Sequence, residues 1–165
     1  MKKQYLTTGP TQTKKLGEKL AKETLKRPLK KQAFILGLEG DLGGGKTTFL
    51  QGFAKGLGIK EKILSPTFIL MRKFQIPSTQ SQTNSKFKIS KFQTFYHIDC
   101  YRILKPKEIL DLGFKEIIQN PKNIVAIEWA DRVRQILPRD TIVLKFHFAN
   151  KNKRKIMIRL KDGEV

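Results

Sequence analysis

The sequence predicts an α/β fold, a three-layer sandwich whose mixed sheet has parallel core strands and antiparallel hairpins at its edges. Two nearly continuous apolar runs, at residues 33–38 and 123–128, have the composition of strands buried on both faces of a parallel sheet. Alternating apolar and polar residues at 92–99, 141–148 and 154–160 predict further strands. A glycine-rich turn follows the first apolar run and precedes a helical pattern, which completes a strand–loop–helix unit.

The remaining elements fit one domain that covers residues 1–165. Helices are predicted at 13–29, 47–57 and 129–136, with shorter helical pieces within 105–116. A strand at 68–74 is expected to pair antiparallel with 92–99, and the polar segment 75–90 between them is a hairpin or an insertion. The last two strands are expected to form an antiparallel hairpin at one edge of the sheet.

The glycine-rich turn carries the full phosphate-binding pattern Gly40-x-x-x-x-Gly45-Lys46-Thr47. Glycines let successive backbone N–H groups turn toward a phosphate, and the following helix adds the positive end of its dipole. In such a loop Lys46 reaches the β- and γ-phosphates, and the Thr47 hydroxyl can ligate Mg²⁺. The motif therefore predicts a nucleotide-binding enzyme.

Two acids, Asp99 and Glu128, end predicted strands at the sheet edge where ligands of open α/β sheets bind. Glu128 is the first choice for holding Mg²⁺ because its strand is the more continuous apolar run. Asp99 either ligates the metal through water or orients the attacking water. Thr67 lies where a γ-phosphate-sensing switch loop is expected, although an ordinary turn explains its position equally well.

Three further residues near these motifs have side chains that can take part in chemistry. Trp129 either stacks near the nucleotide or packs in the core. His97 is interpreted as a packed or surface histidine rather than a catalytic one. Cys100 has no nearby Cys or His pattern for a metal and is interpreted as inert.

The charge balance is strongly basic, with 34 Lys and Arg against 14 Asp and Glu and a formal net charge of +20. Such a field favours polyanions, and RNA is the natural candidate, although a lysine-rich source proteome would give the same composition. No apolar run reaches the ~20 residues that span a bilayer, and no signal peptide is expected. One cysteine suits a reducing compartment, so a cytoplasmic protein without a membrane anchor is expected.

The ordered motifs resemble the TsaE (YjeE) family, small ATPases of bacterial tRNA threonylcarbamoyladenosine (t6A) biosynthesis. The resemblance is carried by the phosphate-binding loop and by three later motifs: Ser65-Pro66-Thr67-Phe68, His97-Ile98-Asp99-Cys100-Tyr101-Arg102 and Ile127-Glu128-Trp129. It implies binding of ATP and Mg²⁺, weak intrinsic ATPase activity, and work in a complex with the subunits TsaD and TsaB. There ATP hydrolysis resets the complex between turnovers instead of forming the new bond.

The resemblance also implies roles for individual residues. Thr47 and Glu128 would hold the metal, while Asp99 and Thr67 would belong to the hydrolytic and switch machinery together with Lys46. Arg154 matches a family arginine near the nucleotide, and the start of the first helix, around Thr13, approaches the base. The phosphates would be held by Gly43, Gly44, Gly45, Lys46, Thr47 and Thr48.

Two alternatives stay open on the sequence alone. A small-molecule kinase uses the same loop, but usually carries an arginine-rich lid, and only Arg102 occurs between Asp99 and Arg132. A basic RNA-binding module that keeps a nucleotide fold is the second alternative, and the intact Lys46 argues against it.

Overall fold

The structure, a computed structural model, describes residues 2–65, 69–80 and 88–159. In chain order these residues form β1 (Lys2–Thr7), α1 (Pro10–Lys26), β2 (Phe34–Gly40), α2 (Lys46–Gly56), β3 (Met71–Gln75), β4 (Thr79–Gln80), β5 (Lys88–Ile89), β6 (Thr94–Asp99), α3 (Lys107–Leu110), α4 (Phe114–Gln119), β7 (Asn123–Glu128), a 3₁₀ helix (Ala130–Ile136), β8 (Ile142–Phe148) and β9 (Arg154–Arg159). Within these ranges no helix is both long and apolar enough to cross a bilayer.

A seven-stranded mixed sheet runs through the molecule in the order β1-β9-β8-β2-β7-β6-β3. Its centre is parallel, since β2 pairs in parallel with both β7 and β8, and β6 pairs in parallel with β7. The outer pairings, β3 with β6, β8 with β9 and β9 with β1, are antiparallel. The carboxyl ends of β2, β6 and β7 therefore meet at one edge of the sheet.

Helices cover both faces of this sheet, which confirms the predicted three-layer α/β fold. On one face α1 and α2 bury side chains such as Phe49 and Phe53 against Leu36 and Leu38 of β2. On the other face α4 packs against β7, α3 packs against α4, and the 3₁₀ helix packs against β2, with Phe114 among the fully buried residues. Because both faces are covered, β7 is buried along its whole length, which explains its continuous apolar sequence.

The sheet differs from the prediction at one edge, because β1 was not predicted. It pairs with β9 and is the outermost strand, so the hairpin of β8 and β9 lies one strand in from the edge. Only Tyr5 and Leu6 in β1 are large and apolar, and Leu6 is 57% exposed. An edge strand with so little buried surface has no alternating pattern to detect.

Two other boundaries have clear physical reasons. Helix α1 begins at Pro10 and not at residue 13, because proline suits the first turn of a helix. It ends at Lys26 because Arg27, which precedes a proline, is extended. Within the predicted 75–90 connection, β4 and β5 pair antiparallel as a short hairpin, and residues 81–87 lie outside the described part of the chain.

Candidate functional site

The phosphate-binding motif forms a tight loop between β2 and α2. Gly44 N–H donates to the Asp41 carbonyl at 3.0 Å, and Phe49 N–H donates to the Gly45 carbonyl at 2.9 Å, so the helix begins directly from the turn. Gly45 precedes the first helical residue with φ 99°, a left-handed conformation that a side chain would strain. The sequence places a glycine where the backbone requires one.

Lys46 is the first residue of α2, and only 4% of it is exposed. Its Nζ donates to the carbonyls of Gly40 and Asp41, each at 2.7 Å, and lies 4.0 Å from the centroid of the Trp129 ring. Burial lowers the pKa of Lys46 below its usual 10.5, and the negative charge of Glu128 is the largest influence in the opposite direction. The ammonium thus sits at the centre of the loop, facing carboxylates.

Glu128 and Thr47 connect the loop helix to the end of β7. The Thr47 hydroxyl lies 2.9 Å from both Oε1 and Oε2 of Glu128, so its hydrogen bond is shared between the two oxygens. Glu128 is buried, 3% exposed, at the last position of β7. The two residues predicted to hold the metal are therefore adjacent, and both offer oxygen atoms.

Asp99 stands beside Glu128, because the two residues are partners in the parallel register of β6 and β7. Its Oδ2 accepts a hydrogen bond from the Ser65 hydroxyl, and its Oδ1 accepts one from the Tyr101 N–H at 2.9 Å. Ser65 belongs to the segment proposed as a switch. Thr67, the residue predicted to act in that switch, lies outside the described residues, so its role stays a prediction.

His97 contacts Glu128, a connection that sequence reasoning missed. Its Nε2 lies 2.8 Å from Glu128 Oε1, and the imidazole is 0% exposed, so of the two predicted environments, packed or surface, the structure has the packed one. A signal existed: His97 is two residues before Asp99 and therefore on the same face of β6. Cys100 is also buried, and burial raises the pKa of its thiol to about 12.

Trp129 follows Glu128 with an unusual backbone conformation, φ 58°. Its ring covers the Lys46 ammonium, and it lies 5.1 Å from the Tyr101 ring and 5.6 Å from the Arg132 guanidinium carbon. The ring is partly exposed and lines a cleft of about 390 Å³ together with the loop, Asp99 and Glu128. The Trp129 ring therefore packs against Lys46 and Tyr101 and also forms part of the cleft wall.

A third buried acid, Glu39, differs from Asp99 and Glu128 in its partners. It is 7% exposed on β2, and its carboxylate is paired with Arg134 at 2.7 Å and Lys145 at 3.4 Å. Glu128, in contrast, receives its hydrogen bonds from a hydroxyl and an imidazole. Paired with cations on neighbouring elements, Glu39 has the environment of a structural acid.

Arg154 and Thr13 border the phosphate-binding loop on the side away from Glu128 and Trp129. A Cβ built on Gly45 would lie 3.8 Å from Thr13 Cγ2 and 4.0 Å from Arg154 Cγ. The Thr13 hydroxyl is 2.8 Å from that of Thr7, and the Arg154 guanidinium lies 4.3 Å from the Phe148 ring centroid. A second cleft of about 240 Å³ lies here, lined by both residues, Thr48 and the loop glycines.

The fold and this loop define a P-loop NTPase-like α/β protein. A sequence model of the TsaE family, described as threonylcarbamoyl adenosine biosynthesis protein TsaE, matches residues 7–156. The chain therefore belongs to the TsaE family.

Individual relatives agree with this assignment. The tRNA threonylcarbamoyladenosine biosynthesis protein TsaE of Bacillus subtilis is 31% identical over 152 residues, which cover 92% of this chain and 82% of that protein. The protein of the same name from a Nostoc species is 42% identical over 102 residues, 60% of this chain and 54% of that protein. The crystal structure of Bacillus subtilis YdiB superposes with a TM-score of 0.71 at 26% identity, covering 97% of this chain and 86% of YdiB.

Proposed function

We propose that this protein is the ATP-binding and ATP-hydrolysing subunit of the t6A modification machinery, working with TsaB and TsaD so that the complex can turn over repeatedly. The observation that carries the proposal is the pairing of the Thr47 hydroxyl with the Glu128 carboxylate, 2.9 Å apart, beside a complete phosphate-binding loop. Family membership supports the pathway, and this pairing supports the chemistry.

The residues present fit Mg²⁺, which prefers oxygen ligands and is usually held by one or two protein groups together with substrate phosphates. Thr47 and Glu128 supply a hydroxyl and a carboxylate, both at the edge of the 390 Å³ cleft. When bound, the metal would neutralise negative charge that develops on the phosphates. Thr47 and Glu128 are the residues that would hold it.

The neighbouring groups suit the hydrolysis of a terminal phosphate. Lys46 would bind and orient the phosphates, since its ammonium lies within the loop that cradles them. Asp99 is a carboxylate at the same strand edge, held by Ser65 and the Tyr101 N–H, and would accept a hydrogen bond from the attacking water. The Trp129 ring would exclude solvent from one side of Lys46.

Exposed apolar side chains near the cleft support a protein partner there. Leu42, which lines the cleft, is 70% exposed, and Leu64, next to the lining residue Ser65, is 50% exposed. Such residues near one cleft suit an interaction site. We assign this surface to the TsaB and TsaD pair, so that partner binding and the nucleotide would influence each other. The protein would then act in the cytoplasm, where tRNA is modified.

The proposal is tested by comparing Glu128→Gln with Glu39→Gln, two buried acids on adjacent strands. We expect Glu128→Gln to lower ATP hydrolysis at least ~10-fold and to raise the Mg²⁺ concentration needed for nucleotide binding. Glu39→Gln should keep the Mg²⁺ dependence of the parent protein while losing stability. Equal Mg²⁺-dependent hydrolysis by Glu128→Gln and the parent protein would contradict the assignment.

A further inference from the structure

The imidazole of His97 is fully buried and holds Glu128 from the side of the sheet core. Its Nε2 lies 2.8 Å from Glu128 Oε1, and its side chain is 0% exposed. Its other ring nitrogen, Nδ1, has no hydrogen-bond partner among the described residues. A buried polar atom without a partner is uncommon and calls for an explanation.

The two ring nitrogens together determine the tautomer. A carboxylate accepts hydrogen bonds and does not donate them, so Nε2 must carry the hydrogen that bonds to Oε1. A second hydrogen on Nδ1 would be a buried donor without an acceptor, whereas a lone pair there costs less. His97 is therefore an Nε2–H donor directed at Glu128.

We infer that His97 is a positioning residue that fixes the Glu128 carboxylate for metal binding, an inference that rests on the proposed function. A glutamate side chain has three rotatable bonds and loses rotamer freedom when it must hold one position. Among the described residues, Oε1 is held by both His97 and Thr47, whereas Oε2 receives only its share of the Thr47 bond. His97 would remain a donor to Glu128 if the Thr47 hydroxyl oxygen were to ligate a metal.

The register of β6 and β7 places His97 close enough to contact Glu128. Asp99 and Glu128 are register partners, and His97 pairs with Ala126 two positions earlier on the same strands. The small Ala126 side chain leaves the imidazole free to extend toward the strand end. Hydrogen bonds to metal-holding carboxylates commonly change metal affinity by about 10- to 100-fold when they are lost.

The test compares His97→Met, which removes the donor at similar volume, with His97→Gln, whose amide nitrogen can replace it. Trp129 is the only tryptophan and lies 4.0 Å from Lys46 Nζ, so its fluorescence reports nucleotide binding without any turnover. His147→Gln is the matched control, since His147 is the only other histidine and is exposed. Nucleotide affinity is measured while Mg²⁺ is varied, next to kcat and KM for ATP.

We expect His97→Met to raise the Mg²⁺ midpoint about 10- to 100-fold, to lower kcat, and to change KM for ATP by less than about threefold. The Mg²⁺ midpoint of His97→Gln should lie closer to that of the parent protein than to that of His97→Met. The midpoint of His147→Gln should match that of the parent protein. An unchanged midpoint in a folded His97→Met protein would overturn the inference alone. Mg²⁺-independent nucleotide binding by the parent protein would overturn the proposed function as well.

A spectroscopic measurement keeps the inference testable if His97→Met fails to fold. With two histidines in the chain, ¹⁵N imidazole shifts can be assigned by comparison with His147→Gln. His97 should show the Nε2–H pattern in the parent protein. An Nδ1–H pattern would contradict the donor role, because Nε2 could not then donate to Glu128.

Discussion

At the residue scale, opposing influences meet at Lys46. Burial lowers its pKa, while the carboxylates of Glu128 and Asp99 raise it. Its ammonium is held by two loop carbonyls and by the Trp129 ring, which fix its position within the loop. A bound polyphosphate would add negative charge beside it and favour the protonated form further.

Removing this charge should remove hydrolysis. We expect Lys46→Ala to lower the ATP hydrolysis rate by about 100-fold or more, since phosphoryl transfer depends mainly on positioning and charge stabilisation. Lys55→Ala, on the same helix but with its side chain 75% exposed, is the control and should hydrolyse ATP normally. Steady-state phosphate release measures both variants, and a normal rate for Lys46→Ala would refute its role.

The lowered pKa of Lys46 predicts a pH dependence. ATP affinity should begin to fall as pH rises through that lowered value, below the usual 10.5 of lysine, because the ammonium is then lost. In the same window the unfolded chain binds more protons than the folded one, so the contribution of Lys46 to stability increases with pH. Calorimetric titration with ATP at increasing pH, up to the usual lysine value of 10.5, should show the decline, and Lys46→Met should flatten it.

The sequence predicted part of this site and left part of it to the structure. Lys46, Thr47 and Glu128 were predictable because a contiguous motif and a strand-end acid define them locally. The contact of His97 with Glu128 depends on the register of β6 against β7, which residues far apart in the chain decide together. Trp129 was left between two interpretations because its left-handed backbone, which turns the ring over Lys46, has no local sequence signal.

At the element scale, the contact between α1 and α2 depends on glycines. A Cβ built on Gly52 would lie 1.9 Å from the Lys14 carbonyl oxygen, and one on Gly17 would lie 2.2 Å from the Phe49 carbonyl oxygen. The two helix backbones therefore touch without side chains between them. Because α2 begins with Lys46 and Thr47, this close packing also fixes where the loop residues stand.

Gly52→Ala tests that packing. In an isolated helix this change would stabilise by about 1 kcal/mol, but here the added methyl group must push the helices apart. We expect a net loss of about 3 kcal/mol and a Tm lower by about 6–12 °C. Gly9→Ala, where an added Cβ meets nothing within 4 Å, should change Tm little. Equal melting temperatures for the two variants would contradict the packing argument.

The elements that sequence reasoning found are those with strong local patterns. Strand β7 has the predicted bounds, and β2 and α2 agree within two residues, because apolar runs and glycines mark them. Strand β1 was missed because an edge strand buries too little surface to impose alternation. Its existence depends on pairing with β9, about 150 residues away along the chain.

At the scale of the whole molecule, positive charge lines a groove separate from the cleft beside Trp129. We call it the lysine groove: about 600 Å³ beside α1, α2 and the segment after α2, lined by four lysines and one acid, Lys14, Lys55, Lys60, Lys62 and Glu61. The net charge of +20 raises the potential along it. Phosphodiester backbones are the polyanions that such a groove fits, so we expect tRNA to contact it.

Charge-reversal variants should distinguish tRNA binding at the lysine groove from nonspecific attraction to the net positive charge. Lys60→Glu with Lys62→Glu should weaken tRNA binding and reduce its salt dependence by about one unit of slope per lost phosphate contact. Lys115→Glu with Lys122→Glu changes the net charge equally at exposed positions near α4. Filter binding across a salt series compares them. Equal losses in the two double variants would show that the groove has no special role.

From the proposed function we expect ATP hydrolysis at Lys46 and Glu128 to let the TsaB and TsaD pair modify tRNA repeatedly. The most direct measurement is the number of t6A products formed per TsaD in a reconstituted reaction, with the parent protein, with Glu128→Gln, or with neither. We predict many products per TsaD with the parent protein and about one with Glu128→Gln or without the chain. Repeated turnover that is equal in all three reactions would contradict the claim.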